Sequence, residues 1–208
     1  MYIPSAFSEN RAEVLAGFIR QHSFGTLVTA CSASGLCASH IPFLLRDRGP
    51  HGTLVAHVAR QNDQWRALQP DTEVLVVFQG PHAYVSPRWY KAKPAVPTWN
   101  YTAVHAYGQP RLIEDPSEVL QFLAEMVQTY EGSAKGAWQI DDVPPEFIRA
   151  MVTQIVVFAI EVQRIEGKFK LGQVRSAADQ QAVVEALETD GNTDARGVAA
   201  LMRERLHQ

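Results

Sequence analysis

The stretch Val76–Gly108, VVFQGPHAYVSPRWYKAKPAVPTWNYTAVHAYG, carries the clearest strand pattern in the chain and decides the fold class. It predicts two β-strands, an ordered loop and a third strand. Residues alternate in type along both halves, and a period of two is what a half-buried strand requires. In the second half the alternation collects the rings on one side of the strand, in a row formed by Trp99, Tyr101, His105 and Tyr107.

Two uses are open for this aromatic row. It fills the core of a β-barrel, or it forms the wall of a site for a flat ligand. Core packing is the commoner use, because aromatic side chains bury large apolar areas. Core packing is therefore the expectation, and the ligand wall is the alternative.

The composition is that of a globular chain. Its 208 residues suffice for one large domain, and 46% hydrophobic with 20% charged residues suits a buried core. The formal net charge of −3 is not the basic footprint of a nucleic-acid-binding protein, although a local patch stays open. The first residues lack the pattern of a signal peptide, and no apolar run is long enough to span a membrane. We therefore expect a cytoplasmic protein.

The two cysteines, Cys31 and Cys37, flank the turn-like sequence SASG and could face each other across a hairpin. Disulfides persist in exported proteins and are rare in the cytosol. Because nothing indicates export, we expect free thiols.

The rest of the chain predicts a β-rich region with helices around it. With those of the opening stretch included, strands are expected at about Thr26–Ala30, Leu36–Leu45, Thr53–Val58, Val74–Gln79, His82–Ser86, Thr98–Tyr107, Gln109–Ile113 and Ile155–Arg164. Helices are expected from a Ser8 cap to about His22, after Asp115, from Pro144 to about Gln154, after Ser176, and over Thr193–Leu206. Many short strands with short links indicate a barrel or a sandwich.

The sequence HVARQNDQW, His57–Trp65, leaves a buried strand and enters a short helix, Asp63–Leu68, capped by Asn62. The amino terminus of a helix attracts anions, and the guanidinium of Arg60 fits a phosphate. Asp63 argues against an anion, because its carboxylate competes for the same place. A simple helix cap beside a solvated arginine explains the pattern equally well.

Two further stretches contain polar residues in strand context. Ser39 and His40 lie mid-strand beside a proline, which is typical of a sheet edge or a ligand groove, although a hydrogen-bonded core histidine is commoner. Lys168 and Lys170 project together from an extended segment and could meet an anion or a polar ring edge, or lie on a solvated face.

The sequence lacks the motifs that are typical of metal sites, hydrolases and nucleotide-binding loops. The histidines and cysteines show no spacing typical of metal ligands. No sequence resembles the nucleophile turn of a hydrolase, a dinucleotide-binding glycine motif or a Walker loop. We assign no catalytic residue, and His40 is the only candidate acid or base that merits a test.

Four motifs in order resemble one known family. HVAR-x-N-x-QW, VVFQGPHAYVSPRWY, VPTWNYTAVHAYG and IEGKFKL-x-Q-x-RSAADQ are similar to those of the PaiB-type FMN-binding negative transcriptional regulators, over nearly the whole chain. The chain departs from the family's last motif at Gly172 and Val174, which stand where the family has Ser and Asn.

The resemblance implies an α+β, mainly β fold: a split β-barrel of the flavin-reductase and pyridoxamine-phosphate-oxidase type with peripheral helices. Residues 1–172 would form the FMN-binding barrel, and residues 173–208 a helical appendage packed on it. The molecule would be a homodimer with FMN at the subunit interface.

The resemblance also implies which residues hold the cofactor. The phosphate would lie near Arg60, Asn62 and the following helix start, which includes Trp65. The remaining cofactor contacts would come from His57, Val58 and Ala59 behind the ring or ribityl chain, Ser39, His40 and Ile41 along the isoalloxazine, Trp99 and Tyr101 closing the site, and Lys168 at the flavin's edge.

Three functions follow as hypotheses. The first is an FMN-binding transcriptional regulator, although no helix pair shows a convincing helix-turn-helix pattern and Glu204 offsets the basic residues Arg203 and Arg205. The second is a flavin-dependent oxidoreductase of the NAD(P)H:flavin or haem-handling type, in which the cofactor supplies the redox chemistry. The third is a flavin-binding sensor without turnover.

Overall fold

Strands dominate the computed structural model, which describes residues 1–31, 35–132, 134 and 136–207. The strands are β1 (Ser8–Glu9), β2 (Phe24–Cys31), β3 (Gly35–Pro42), β4 (Leu44–Arg46), β5 (Thr53–Ala59), β6 (Val74–Val85), β7 (Thr98–Ile113) and β8 (Ile155–Lys170). The α-helices are α1 (Ala12–Gln21), α2 (Pro116–Glu131), α3 (Pro145–Val152), α4 (Ala177–Glu188) and α5 (Thr193–Leu206). Short 3-10 helices cover Ser5–Phe7, Asp63–Ala67 and Ile140–Asp142. The mainly β class with peripheral helices is confirmed.

The strands form an antiparallel sheet in the order β3-β2-β6-β7-β8-β5-β4, with β1 paired to β8. β2 and β3 form a hairpin in which Leu27 lies opposite Ser39. The ladder between β5 and β8 runs from the pair Thr53 and Glu161 to the pair Ala59 and Ile155. This register fixes which side chains meet at each end of the ladder.

The chain divides into two compact units. The first contains Met1–His22, Phe78–His105 and Glu166–Gln208, and the second contains Ser23–Val77 and Ala106–Ile165. In the second unit, one face of α2 packs on the sheet, in a cluster of buried side chains formed by Leu44, Val55, Ile113, Val119, Phe122, Val157 and Ala159. In the first unit, α1 packs Phe18 against Phe169 with ring centroids 5.3 Å apart, and α4 packs against α5.

The predicted start of the first helix is wrong. Ser8 does not cap it, because Ser8 and Glu9 pair with Lys168 and Gly167 in the β1–β8 ladder. The buried Glu9 carboxylate accepts hydrogen bonds from the backbone N–H and the guanidinium of Arg11, so the helix begins only at Ala12.

Two predicted strand breaks do not occur. β6 runs through Gly80, and β7 runs through Gly108. A Cβ at Gly80 would lie 2.7 Å from the ring of Phe18, and a Cβ at Gly108 would overlap the backbone oxygen of Glu161. These glycines allow close approach within a sheet, and their sequence signal is the same as that of a turn.

The long predicted strand Leu36–Leu45 is divided by Phe43 into β3 and β4. Phe43 is fully buried, and its N–H donates to the carbonyl of Ser23 at 2.9 Å. β8, in contrast, extends six residues beyond the predicted end at Arg164, and within this extension Gly167 and Lys168 pair with β1.

The expectation of free thiols is wrong as well. Cys31 and Cys37 form a disulfide, with Cα atoms 5.9 Å apart, on the diagonal of the β2–β3 hairpin. The hairpin pairing places the two side chains on one face, close enough to bond. The turn residues 32–34 lie outside the described part of the chain.

Candidate functional site

The loop after β5 is fixed by the Arg60 guanidinium. Its Nε donates to the carbonyl of Thr153 at 2.8 Å and its Nη2 to that of Ile155 at 2.9 Å. The backbone N–H of Arg60 donates to Gln154, and its carbonyl accepts from the indole N–H of Trp65 at 3.0 Å. An arginine has five N–H donors, so part of this exposed guanidinium is left for an anion.

Arg60 and Trp65 line a cavity of about 350 Å³. Its other walls are the end of β7, the start of α2 and the first residues of β8. The predicted phosphate contact thus faces a cleft.

Asn62 caps the following 3-10 helix, as predicted. Its Oδ1 accepts from the N–H of Gln64 at 3.1 Å, and its Nδ2 donates to Ser39 Oγ at 2.9 Å. The helix covers only Asp63–Ala67, and a single turn contributes little dipole. An anion here would therefore depend on Arg60 more than on the helix.

Gln64 is a buried residue that sequence reasoning missed. Its side chain is 4% exposed, and its Nε2 lies within hydrogen-bond distance of Leu27 O, Thr29 Oγ1 and Cys37 O. Its Oε1 is buried and has no hydrogen-bond partner among the described residues. A glutamine in a polar loop reads as a surface residue, so the sequence carries no signal for this role.

The predicted trio on β3 is divided between the two faces of the strand. Ser39 and Ile41 are half-buried on the face that meets Asn62, and His40 between them is exposed on the other face. The structure therefore brings Ser39 to the Arg60 loop and does not bring His40 there.

His57 on β5 is a half-buried member of the predicted contacts. Its ring packs edge-on against Phe122 with centroids 5.8 Å apart. Its Nδ1 is buried without a partner in the described chain, and burial lowers the pKa of the imidazole, which favours the neutral form. Val58 is buried on the opposite face, and Ala59 is exposed at the strand end.

The aromatic row of β7 does not fill the core. Trp99 is 52% exposed, and Tyr101, His105 and Tyr107 are half-buried, while the intervening residues are buried. Trp99 also meets two rings of β6, with centroids 6.0 Å from His82 and 6.2 Å from Tyr84. We call His82, Tyr84, Trp99 and Tyr101 the aromatic face.

Two lysines of β8 flank the aromatic face. Lys168 Nζ donates to the carbonyl of Tyr2 at 2.9 Å and lies 5.4 Å from the ring centroid of Tyr101. Lys170 Nζ donates to Thr98 Oγ1 and to the carbonyl of Trp99. Burial, with the charge of Lys168 as a second cause, lowers the pKa of Lys170. Trp99, Tyr101 and Lys168 are thus gathered in the first unit.

The last motif, RSAADQ, holds the loop between β6 and β7. Asp179 is 2% exposed and accepts from the N–H groups of Lys91 at 2.7 Å and Ala92 at 3.1 Å. Ser176 caps α4, and the guanidinium of Arg175 stacks 4.4 Å from the ring centroid of Tyr90. These hydrogen bonds lower the pKa of Asp179. The motif therefore has a positioning role that its sequence alone does not reveal.

The candidate residues of each unit fit one part of FMN chemically. A phosphate needs cationic donors, a ribityl chain needs hydrogen-bonding groups, and the isoalloxazine needs flat apolar surface with polar groups at its edge. Arg60 has free donors, the buried His57 Nδ1 and Gln64 Oε1 have no partner among the described atoms, and the aromatic face is exposed.

Known proteins agree with this chemistry. Residues 1–164 match the family described as "Putative FMN-binding domain". The chain is 37% identical over 206 residues, 99% of this chain and 98% of the relative, to the protease synthase and sporulation protein PAI 2 of Bacillus subtilis. The chain belongs to the PaiB-type FMN-binding family. The prediction of FMN as the cofactor, made from the resemblance, is confirmed at the level of this family.

Solved structures place the PaiB-type chain in the split-barrel class. The flavocytochrome Anf3 of Azotobacter vinelandii matches with a TM-score of 0.63 and 11% identity, covering 84% of this chain and 75% of that one. The FAD and haem binding protein of Mycobacterium smegmatis matches with a TM-score of 0.62 and 14% identity, covering 84% and 78%. At these identities the likeness shows the fold, and it confirms the predicted fold class.

In the described part of the PaiB-type chain, no helix is both long and apolar enough to cross a membrane.

Proposed function

We propose that this protein is an FMN-binding regulator that acts as a homodimer, with FMN held at the subunit interface. The observation that supports this most is the exposed aromatic face. Trp99 and Tyr84 are 52% and 47% exposed in the single chain, beside the lysine pair Lys168 and Lys170. Clustered apolar surface of this kind usually marks an interaction site, and a tricyclic ring with a second subunit would cover it.

In this proposal Arg60 of one subunit binds the phosphate, and Asn62 with Ser39 keeps the loop in place. His57 and Gln64 supply polar atoms on the same unit. Trp99 of the other subunit would close over the ring. FMN itself supplies the ability to accept and donate electrons, while the protein binds and orients it.

The regulatory role is proposed from the relative's name, which links that protein to protease synthesis and sporulation. Binding to DNA would need phosphate contacts from a patch that two subunits build together, because the net charge of one chain is −3. The cytoplasmic location and a domain boundary at residue 172 stay predictions.

The test combines three measurements on the purified protein. Light scattering should give twice the mass of one chain, and the absorption spectrum should show bound flavin. A mobility shift with DNA upstream of the protein's own gene should be strong at low salt and weaken as salt rises. A monomeric holoprotein, or no shift at low salt, would contradict the proposal.

One further measurement distinguishes the oxidoreductase alternative from the regulator. If NADH or NADPH bleaches the flavin absorption under anaerobic conditions, the protein reduces its flavin directly. The regulator proposal expects the holoprotein to stay oxidised under that treatment.

A further inference from the structure

A second cavity lies at the other end of the β5–β8 ladder. Its volume is about 250 Å³, and the residues that line it include Arg46, Arg48, Thr53, Arg111 and Glu161. Thr53 pairs with Glu161 six residues from the pair Ala59 and Ile155, beside which Arg60 lies. Six residues of strand span about 20 Å, so this cavity is separate from the proposed phosphate contact.

Three arginines enter this cavity from different elements. Arg46 ends β4, Arg48 lies in the turn that follows, and Arg111 lies on β7. Thr53 Oγ1 donates to the carbonyl of Arg48 at 3.1 Å and so fixes the turn. Three arginine residues therefore line one small cavity of the second unit.

The carboxylates of α2 satisfy only part of this positive charge. Arg46 Nε donates to Glu125 at 2.9 Å, and Glu118 accepts from Arg111 at 2.9 Å while lying 3.9 Å from Arg46 Nη1. The Nη2 of Arg46 is buried and, within the described ranges, has no hydrogen-bond partner. A buried guanidinium N–H without an acceptor is costly, and native proteins normally supply one.

The cavity also contains one arginine without an ion pair in the described chain and one carboxylate. Arg48 has an exposed side chain with no ion pair among the described residues. Glu161 covers the turn at Gly49, with its Oε1 3.4 Å from the position of a Cβ there. Elsewhere in the cavity lining, the side chain of Gln163 donates to the side chain of Gln109 at 3.3 Å. The cavity therefore offers donors for an oxyanion and one carboxylate for a hydrogen-bond donor.

We propose that this cavity is a second ligand site, which binds a small molecule with a carboxylate or phosphate group through Arg46, Arg48 and Arg111. Guanidinium groups recognise both kinds of oxyanion through paired N–H donors. Glu161 would select ligands that also carry a hydroxyl or an amine. The site is independent of FMN, and in a flavin-binding regulator it would serve as an input for a metabolite.

The test uses FMN-saturated protein, so that the cofactor's own phosphate site is filled. Inorganic phosphate and succinate are titrated separately by calorimetry at constant ionic strength, with sodium chloride as the salt control. We expect saturable binding of at least one probe, with one site per chain. The probe that binds more tightly tells whether phosphate or carboxylate is preferred.

Four variants make the result specific. Arg48→Gln and Arg111→Gln should each weaken the probe at least tenfold and leave FMN affinity unchanged. Arg60→Gln should weaken FMN and leave the probe unchanged. Arg203→Gln, which removes a charge that pairs with Glu188 on the first unit, is the control for lost charge and should change neither. A melting curve without probe shows that each variant is folded.

Two results would overturn the proposal. One is the absence of saturable binding for both probes in the wild-type holoprotein. The other is binding that survives Arg48→Gln and Arg111→Gln, or that Arg60→Gln alone removes, since the anion would then occupy another place. If the protein binds the probe but does not bind FMN, the result contradicts the assignment of FMN and does not contradict the second site.

Discussion

At the scale of single residues, the site depends on polar atoms that the fold has buried. His57 lies against Phe122 with a buried Nδ1, and Gln64 ties the Arg60 loop to β2 and β3. Asn62 could be predicted because caps follow a local rule. Gln64 could not be predicted, because it contacts residues that are distant in the sequence, from Leu27 on β2 to Cys37 on β3.

His57 predicts a pH dependence of stability. Burial lowers its folded-state pKa below the ordinary value of 6.5, so the unfolded chain takes up the proton first. The stability that comes from neutral His57 is present above about pH 6.5 and is lost as the pH falls through that value towards the folded pKa. Urea unfolding of the apoprotein between pH 8 and pH 5 should therefore show a steeper loss for wild type than for His57→Gln.

The control for this measurement is His51→Gln, the same change at an exposed position. It should keep the wild-type slope. If His57→Gln also keeps that slope, the imidazole does not titrate differently in the folded and unfolded chain, and the assignment of a buried neutral His57 is incorrect.

Gly108 predicts a local steric effect. A Cβ there overlaps the backbone oxygen of Glu161, so Gly108→Ala should force β7 and β8 apart and lower the free energy of unfolding by about 1–3 kcal/mol. Gly17→Ala is the matched control, because nothing lies within 4 Å of a Cβ in that helix position. It should raise the free energy of unfolding by about 0.5–1 kcal/mol. Equal effects of the two substitutions would contradict the close approach.

At the scale of elements, the sequence predicts strands better than it predicts which face is buried. Alternation along β7 defines two faces, and hydrophobicity alone favours the rings inside. The structure buries Asn100 and Thr102 instead, because Asn100 Nδ2 contacts Met202 Sδ at 3.3 Å and Thr102 Oγ1 reaches the carbonyl of Pro81. Those partners come from α5 and β6, and no local pattern in the sequence of β7 predicts them.

The loop between β6 and β7 provides a test at this scale. Asp179 holds the backbone of Lys91 and Ala92, so Asp179→Ala should release the loop and speed tryptic cleavage after Lys91. Glu185→Ala, at an exposed position of the same helix, should cleave at the wild-type rate. Equal cleavage rates for both variants would show that Asp179 does not hold the loop.

At the scale of the whole molecule, four spaced motifs predicted the fold class and the cofactor, because both are properties of the family. The positions of strand joins, the disulfide and the exposed aromatic face depend on packing within this chain. The site residues fall into two groups, one around Arg60 in the second unit and one around Trp99 in the first. In the proposed homodimer, one subunit contributes the first group and its partner contributes the second.

FMN should stabilise the whole molecule through mass action. At a free concentration of 100 times its Kd, a ligand that binds only the folded state raises the free energy of unfolding by about 2.7 kcal/mol. Arg60→Gln should lose most of this gain at the same FMN concentration. Arg66→Gln removes a neighbouring exposed arginine that pairs with Asp63, and it should keep the gain. If Arg66→Gln loses the gain and Arg60→Gln keeps it, Arg60 is not the phosphate contact.

The most direct measurement of the shared site is complementation between two variants that each bind FMN poorly. Arg60→Gln and Trp99→Ala chains, carrying different affinity tags, are coexpressed, and the mixed dimer is isolated with both tags. If Arg60 of one subunit and Trp99 of the other meet at one flavin, the mixed dimer contains one intact site and should bind 0.5 FMN per chain with wild-type affinity. If no mixed dimer forms, or if it binds FMN as poorly as either parent, the flavin is not shared between subunits.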